Sequence, residues 1–407
     1  MEDIRSTWRQ LVSAALLPLA AGALLISACT ASDGPVQVTS SSIPTLAGHH
    51  DIDVVEIDQA GHRLYAADRT DQGIDVFDTT KSPARYLSTI PLPAAPNGLA
   101  IAPALGRLFV GAANGSVLFV DISTISPTVN TVVKEVPTGG KSADLIDYAP
   151  GPELIFASNG IEGTLASIDA KTGEVKMTFS VTGYSLEQPR FNASDGMLYV
   201  TSPDADSLFQ LDINSGTVKN RSTLGGCQPT GLAISPASQA VMACHNAVIS
   251  WDFRSGKSQR FDQVAGGDVV SYNARADRFF VASPQKTGPG AVAIFGGNPI
   301  GYIASVDTAG PGKSAAYDET NNFVYTPDGR LGFAGLAGFR PPATTQFIYP
   351  SVGSIAIFAA VVLVILGLFV IVGRGADPVL REEPAPRRRG SRSAAPVAPV
   401  AAEVVKN

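Results

Sequence analysis

Residues 98–121 read GLAIAPALGRLFVGAANGSVLFVD, and this stretch decides the fold. It holds three short apolar segments, GLAI, RLFV and VLFVD, which are separated by turn residues such as Pro, Gly and Asn. Short alternating segments divided by turns predict antiparallel β-strands. No sustained helical periodicity occurs between residues 45 and 340, so the predicted fold class is all-β.

The middle segment recurs as RLYA at Arg63, RLFV at Arg107, ELIF at Glu153, MLYV at Met197, AVMA at Ala240, RFFV at Arg278 and NFVY at Asn322. Successive copies lie 44, 46, 44, 43, 38 and 44 residues apart. A period of about 40–45 residues is typical of a four-stranded propeller blade. Sheets that are apolar on both faces must pack against neighbours in a ring. We therefore predict a seven-bladed β-propeller of four-stranded antiparallel blades over residues 47–338.

The last repeat, residues 314–336, has room for only about three strands. The lead-in, residues 29–46, contains the segment VTSSSIPTL at 38–46, which looks like an outer strand. We predict that this segment pairs with the last blade and closes the ring. Residues 339–350 would then form a stalk.

Five repeats end a strand on an aspartate, as at Asp78, Asp121, Asp169, Asp212 and Asp252. An aspartate at a strand end caps the following turn by accepting hydrogen bonds from backbone N–H groups two residues on. Five copies of one feature indicate a structural role, because an active site needs a single constellation.

These repeats resemble the YVTN/YncE-like family of bacterial seven-bladed β-propellers. The RLYV-type, V-x-V-I-D-type and GLAI-type strands carry the resemblance over about residues 45–340. It implies an exported propeller. The sixth repeat departs from the pattern, since Phe295 stands near the expected closing aspartate.

Cys227 and Cys244 flank one predicted hairpin. Ideal strands would place Gly231 opposite Cys244 and would keep the two sulfurs apart, although a curled lead-in loop could join them. The family resemblance implies a disulfide, because similar propellers carry Cys at both positions, and an exported location is oxidising. Two unpaired structural cysteines are the alternative.

Residues 351–373, SVGSIAIFAAVVLVILGLFVIVG, contain no charge and are long enough to predict a transmembrane helix. Basic residues follow it and predict a cytoplasmic C-terminus; they are Arg374, Arg381, Arg387, Arg388, Arg389 and Arg392. Residues 374–407 are rich in Pro, Ala and Arg, and we predict a disordered cytoplasmic tail.

Residues 1–28 have the layout of an export signal, with an apolar run at 11–28 after Arg5 and Arg9. The run ends in Ile-Ser-Ala-Cys, which resembles a bacterial lipobox in which Cys29 would be lipidated. An uncleaved signal anchor is the alternative. Either arrangement predicts a cell-membrane protein with its propeller outside the cytoplasm.

The composition excludes several function classes. The net charge of the 407-residue chain is −6, and the part between the two terminal segments carries 21 Lys and Arg against 30 Asp and Glu. This acidic balance argues against nucleic acid as a partner. Three cysteines are too few for a disulfide-dense scaffold or a four-thiolate metal centre.

In propellers the loops that enter the innermost strands converge on a central funnel, and polar groups there could bind a ligand. The candidates are His50, Asn97, Asp144, Arg190, Gln228, Asp268 and Lys313. His50, Asp144 and Asp268 could in principle ligate a metal, although no spacing motif supports this, and a solvated funnel without chemistry is the alternative. We predict no cofactor and no catalytic residue.

Three functions follow as hypotheses. The first is a membrane-anchored binding or scaffold module for an unknown protein or envelope ligand. The second is a lactonase-like hydrolase with a metal in the funnel. The third is an accessory subunit of an exported redox system.

Overall fold

A computed structural model describes residues 36–342, apart from residues 45–47, 49, 182, 284–289, 309, 311 and 331. The predicted signal segment, Cys29, the transmembrane segment and the tail lie outside the described residues. Within the described residues, no helix is long and apolar enough to cross a membrane.

The described chain forms seven four-stranded antiparallel sheets, which confirms the predicted fold class. The first four blades are β2–β5 (Ile52–Asp58, Arg63–Asp68, Gly73–Asp78, Arg85–Pro91), β6–β9 (Pro96–Ala102, Arg107–Ala112, Ser116–Asp121, Thr131–Pro137), β10–β13 (Ile146–Ala149, Leu154–Asn159, Thr164–Asp169, Val175–Ser180) and β14–β17 (Pro189–Asn192, Met197–Ser202, Ser207–Asp212, Val218–Thr223). Blades 5 and 6 are β18–β21 (Pro229–Ile234, Gln239–Cys244, Val248–Asp252, Lys257–Phe261) and β22–β25 (Val270–Asn273, Arg278–Ser283, Ala291–Gly296, Gly301–Asp307). Blade 7 combines β26–β28 (Ala316–Asp318, Phe323–Pro327, Gly335–Phe339) with β1 (Val38–Ser42).

Each blade is packed on both faces. In β7, Leu108, Phe109 and Val110 are consecutive and all fully buried, and successive strand residues point to opposite faces. Burying each such side chain contributes about 1.5–3 kcal/mol. The outermost strands differ, since β17 is largely exposed and polar. The apolar faces are therefore covered by neighbouring blades, and the outer strands face solvent.

The ring is closed by pairing of the first strand with the last one. β1 pairs antiparallel with β28, with Val38 opposite Phe339 and Ser42 opposite Gly335. Just beyond β1, the Ile43 N–H donates to the carbonyl of Ala334 at 2.9 Å. The predicted pairing of the N-terminal segment with the last blade is thus found, over residues 38–42.

The closing aspartates cap turns as predicted. The Oδ1 atoms of Asp78, Asp121, Asp169, Asp212 and Asp252 each accept a hydrogen bond from the backbone N–H two residues on, at 2.8–3.0 Å. The backbone N–H of Asn214 and the nearby ammonium of Lys219 lower the pKa of Asp212 to about 2. In blade 6, Gly296 occupies the strand-end position, opposite Arg278.

Cys227 and Cys244 form a disulfide with their Cα atoms 5.1 Å apart. The expected pairing of Gly231 with Cys244 is wrong. A register shift between Pro229 and Leu232 instead sets Pro229 opposite Cys244. The hairpin pairs Ile234 with Ala240, one residue out of the expected register, and the bulge takes up one further residue. Cys227 therefore lies only two residues before the position opposite Cys244.

We expect ring closure to depend on the N–H groups of β1 that face β28. Hydrogen-bonding residues alternate along an antiparallel strand, so the bond from Ile43 places the N–H of Ser41 toward β28 and that of Ser42 away from it. Ser41→Pro should therefore lower the free energy of unfolding by roughly 1–3 kcal/mol, measured by urea denaturation. Ser42→Pro is the matched control and should cost less, because proline is tolerated where its missing N–H faces solvent. Equal effects of the two substitutions would contradict this pairing.

Candidate functional site

The start of each inner strand places one residue at the upper mouth of the central funnel. The upper face is the end of the ring where the inner strands begin. Counting back ten residues from the first residue of each blade's second strand gives Asp53, Asn97, Asp144, Glu187, Pro229, Asp268 and Lys313. The N–H groups of Asp144, Glu187 and Asp268 donate to equivalent carbonyls of their second strands, at 2.8–3.0 Å. These residues therefore hold the same height in different blades.

One side of this mouth is an ion-pair network. The Lys313 ammonium lies 2.9 Å from Asp51 and 3.6 Å from Asp53. The guanidinium of Arg69 lies 3.0 Å from the other oxygen of Asp53 and 3.8 Å from Asp51. Two cations and two carboxylates thus offset one another where blade 7 meets blade 1.

The other side of the mouth carries carboxyl groups without such partners. Asp144, Glu187 and Asp268 have no side-chain hydrogen bond or ion pair within the described part of the chain, and each is partly buried. Loss of water, together with the negative charge of Asp53, raises the pKa of Asp144 to about 6 and that of Asp268 to about 7. Burial, with Asp144 and Asp268 nearby, raises the pKa of Glu187 to about 8.

Glycines in two blades let the backbones of Asp144 and Asp268 pass close to the preceding blade. A Cβ on Gly111 would lie 2.2 Å from the carbonyl oxygen of Asp144, and one on Gly98 would lie 2.5 Å from the same atom. A Cβ on Gly231 would lie 2.1 Å from the carbonyl oxygen of Asp268. The GLAI-type strands thus need glycine because the backbone of the next blade passes against them.

The structure brings together three of the seven sequence candidates, Asp144, Asp268 and Lys313, at the mouth. His50 is buried, and its Nδ1 lies 2.6 Å from Oδ2 of Asp68 in its own blade. Asn97 holds the equivalent position in blade 2, but its side chain is buried and donates to the carbonyl of Ala143 in the next blade, at 2.8 Å.

The remaining two candidates also lie elsewhere. Gln228 has an exposed side chain, and its backbone N–H donates to Oδ1 of Asp206 at 2.8 Å. Arg190 lies within β14 and lines the opposite half of the channel.

Sequence reasoning missed Asp53, Glu187 and Arg69. A signal for the first two was available, since both keep the ten-residue offset from the second strand. Arg69 reaches the mouth from the end of a different strand, and no spacing indicates that.

The funnel carboxyls do not form a metal-binding group in the described residues. The group whose ligand atoms all lie within 4.8 Å of one another is His50, Asp68 and Asp71, in blade 1. There the Asp68 carboxylate already accepts from the N–H groups of Thr70 and Asp71 and contacts His50. This arrangement supports the turn after β3, and it gives the metal-dependent hydrolase no specific support.

The channel is closed at mid-height by apolar side chains. Val54, Leu99, Leu145 and Val269, from blades 1, 2, 3 and 6, belong to one buried cluster. Blades 6 and 1 are not neighbours, so Val269 joins that cluster across the axis. The void at this level is about 10 Å³, room for at most about one water molecule. The upper mouth and the lower half of the channel are therefore separate compartments.

Comparison with known proteins supports the fold. No known protein family matches this chain, and no curated protein matches it. Among solved structures it is similar to Kuenenia stuttgartiensis hydrazine synthase, with a TM-score of 0.56, 14% identity, and coverage of 69% of this chain and 94% of that one. At this identity the similarity shows the propeller fold alone. Membership of the YVTN/YncE-like family stays a prediction.

The raised pKa of Glu187 predicts a pH-dependent contribution to stability. A carboxyl whose pKa rises from 4.5 to about 8 on folding binds more protons in the folded state between those values. The folded protein should therefore lose stability as pH rises through this window. Glu187→Gln removes the titration, so its free energy of unfolding should increase relative to wild type from pH 5 to pH 8.5, measured by urea denaturation.

Glu135→Gln, on the exposed outer strand β9, is the control for this experiment. Its difference from wild type should not follow the same rise. If the difference between Glu187→Gln and wild type were constant over the pH range, the environment assigned to Glu187 would be wrong.

Proposed function

We propose that this protein is a membrane-tethered, extracytoplasmic binding module, and that the upper mouth of its propeller recognises a positively charged group of an envelope protein. The observation that carries the proposal is the charge of the mouth. Five carboxyl groups, Asp51, Asp53, Asp144, Glu187 and Asp268, face two cations, Arg69 and Lys313.

The electrostatics of the mouth favour a cationic partner. The carboxyl groups of Asp144, Glu187 and Asp268 are held partly out of water, where their ionised forms are disfavoured. A cation placed among them would stabilise the ionised forms and would gain charge-assisted hydrogen bonds. Binding of a lysine or arginine side chain would thus be coupled to the release of protons from the mouth.

The position of the chain ends supports use of this face. In blade 7, Phe339 of β28 pairs with Val38 of β1 on one side and with Val324 of β27 on the other. These three residues lie at the lower end of the blade. The described chain therefore begins and ends at the lower face, and the mouth opens on the upper face. Neither described chain end obstructs a partner that approaches the mouth.

The tether and the location rest on the sequence. The proposal takes residues 1–28 as an export segment, Cys29 as a lipidated residue and residues 351–373 as a membrane span. The hydrolase and redox-accessory hypotheses remain predictions without a supporting observation at the mouth.

The partner can be tested with the full chain in detergent-solubilised membranes. Affinity capture at low salt should recover one envelope protein in stoichiometric amounts. The triple variant Asp144→Asn, Glu187→Gln, Asp268→Asn should reduce recovery at least tenfold, because it removes the uncompensated carboxyls. Salt near 1 M should weaken capture by wild type. At that ionic strength the Debye length is about 3 Å, so attraction between exposed charges farther apart than this is largely screened.

A matched control for the partner experiment replaces three carboxyls on outer strands and turns with glutamine, the exposed Glu135 and Glu174 and the half-exposed Glu153. This variant should capture the partner as wild type does. Repeated failure of wild type to recover a partner, or equal recovery by both triple variants, would contradict recognition at the mouth.

The location can be tested by protease treatment of intact spheroplasts from cells that produce the full chain with a C-terminal epitope. The propeller should be digested without lysis, and the epitope should stay protected. Cys29→Ser should abolish incorporation of labelled fatty acid while the protein remains in the membrane fraction, because residues 351–373 would still anchor it. Digestion that requires lysis would contradict an extracytoplasmic propeller.

A further inference from the structure

Below the apolar closure, the channel widens into a cavity of about 560 Å³ that we call the lower cup. Its rim is formed by the inner hairpins, including Asp58–Ala60 of blade 1, Pro103 of blade 2 and Pro150 of blade 3. Sites for small molecules commonly occupy about 300–1,000 Å³. The lower cup therefore has the size of a ligand site and is open on the lower face.

Three charged side chains share one level of the lower cup. Glu56, Asp147 and Arg190 each stand opposite an aromatic residue of their second strand, namely Tyr65, Phe156 and Tyr199. The same level in the other four blades holds only small residues, which are Ala100, Ala233, Ser271 and Ala316. The charges are thus gathered on blades 1, 3 and 4, and the small side chains of Ala100, Ala233 and Ser271 line the rest of the cavity at this level.

The partners of these three groups differ. Nη1 of Arg190 donates to the carbonyls of Pro189 and Ile146, at 3.0 and 3.2 Å, and lies 3.6 Å from Oδ1 of Asp147. Oδ2 of Asp147 accepts from the N–H of Phe191 at 2.8 Å. Within the described part of the chain, the Glu56 carboxyl has no hydrogen bond or ion pair, although it lines the cavity. Glu56 is partly buried, where an ionised carboxylate without a partner is disfavoured, and a bound cation would offset that cost.

We propose that the lower cup is a binding site for a small organic cation that carries a primary ammonium group. The ammonium would donate to Glu56 and to Asp147, and the carbon chain would lie along Leu99, Phe191 and Tyr148. Two carboxylates outnumber one guanidinium at this level, which disfavours an anion. Aromatic side chains line the cup, and their rings attract desolvated ammonium groups, which favours an organic cation.

The pH dependence of binding follows from the surroundings of Glu56. Burial, with Asp147 acting in the same direction and Arg190 opposing it, raises the pKa of Glu56 to about 7. Asp58, Tyr148 and Tyr272 are the other titratable groups that line the cup. An alkylammonium stays protonated below about pH 10. Binding to ionised Glu56 should therefore strengthen roughly tenfold from pH 6 to pH 8.

The test uses as its parent the full chain in detergent with Asp144→Asn, Glu187→Gln and Asp268→Asn, because an amine would otherwise also bind at the mouth. The three probes share a four-carbon chain and are 4-aminobutan-1-ol, butane-1,4-diol and 4-hydroxybutanoate. Saturation-transfer NMR should detect binding of the amine, at least tenfold tighter than binding of the diol or the carboxylate. Glu56→Gln should weaken amine binding at least tenfold and abolish its pH dependence. If circular dichroism shows that Glu56→Gln does not fold, Asp147→Asn takes its place.

The control is Glu135→Gln in the same background, which makes the same chemical change on the exposed outer strand β9. It should bind the amine as the parent does. The parent lacks the mouth carboxyls, so its loss of partner capture and the loss of amine binding by Glu56→Gln report on different sites. The lower-cup proposal is overturned if the parent does not bind the amine, if the diol binds equally well, or if Glu56→Gln binds the amine as tightly as the parent does.

Discussion

The packing of apolar faces between adjacent blades is the constraint on which the rest of this structure depends. Each sheet is apolar on both sides, as in β7, so no sheet is stable in water alone. In a ring of seven blades, every apolar face is covered by a neighbour only if the last blade packs against the first. The hydrogen-bonded pairing of β1 with β28 makes that closure part of the sheet itself.

Closure also determines where functional groups can lie. Equivalent residues of each repeat stand at the same height around the axis, so each repeat offers one side chain to each level. At the mouth this level holds Asp53, Asp144, Glu187, Asp268 and Lys313, and at the lower cup it holds Glu56, Asp147 and Arg190. Neither set repeats in all seven blades. The candidate functional groups of this ring are therefore the residues that differ from one repeat to the next.

The apolar closure of the channel separates these two levels chemically. Val54, Leu99, Leu145 and Val269 leave room for at most about one water molecule between them. At the same height, Gln188 links blades 4, 5 and 6 by bonding Leu232 and Val270. The mouth and the cup can thus hold different ligands without exchange through the axis.

Part of the candidate site at the mouth could be predicted from the sequence. The sequence predicts that polar groups gather at the entry loops of the inner strands, and the structure places Asp144, Asp268 and Lys313 there. The turn-capping role of the closing aspartates was also predictable, because a cap depends on neighbours two residues away. His50 and Asn97 could not be excluded, because whether a loop side chain faces the axis or the space between blades depends on contacts with Asp68 and Ala143, far along the chain.

By itself the sequence determined the number of blades, the antiparallel strands and the strand that closes the ring, because these depend on local alternation, turn residues and a period of about 44 residues. The tertiary structure alone decided the register shift that brings Cys227 near Cys244, the closure of the channel and the division of charges between mouth and cup. These features arise from side chains of blades that are distant in sequence and meet only at the axis, where a shift of one residue moves a side chain to the other face.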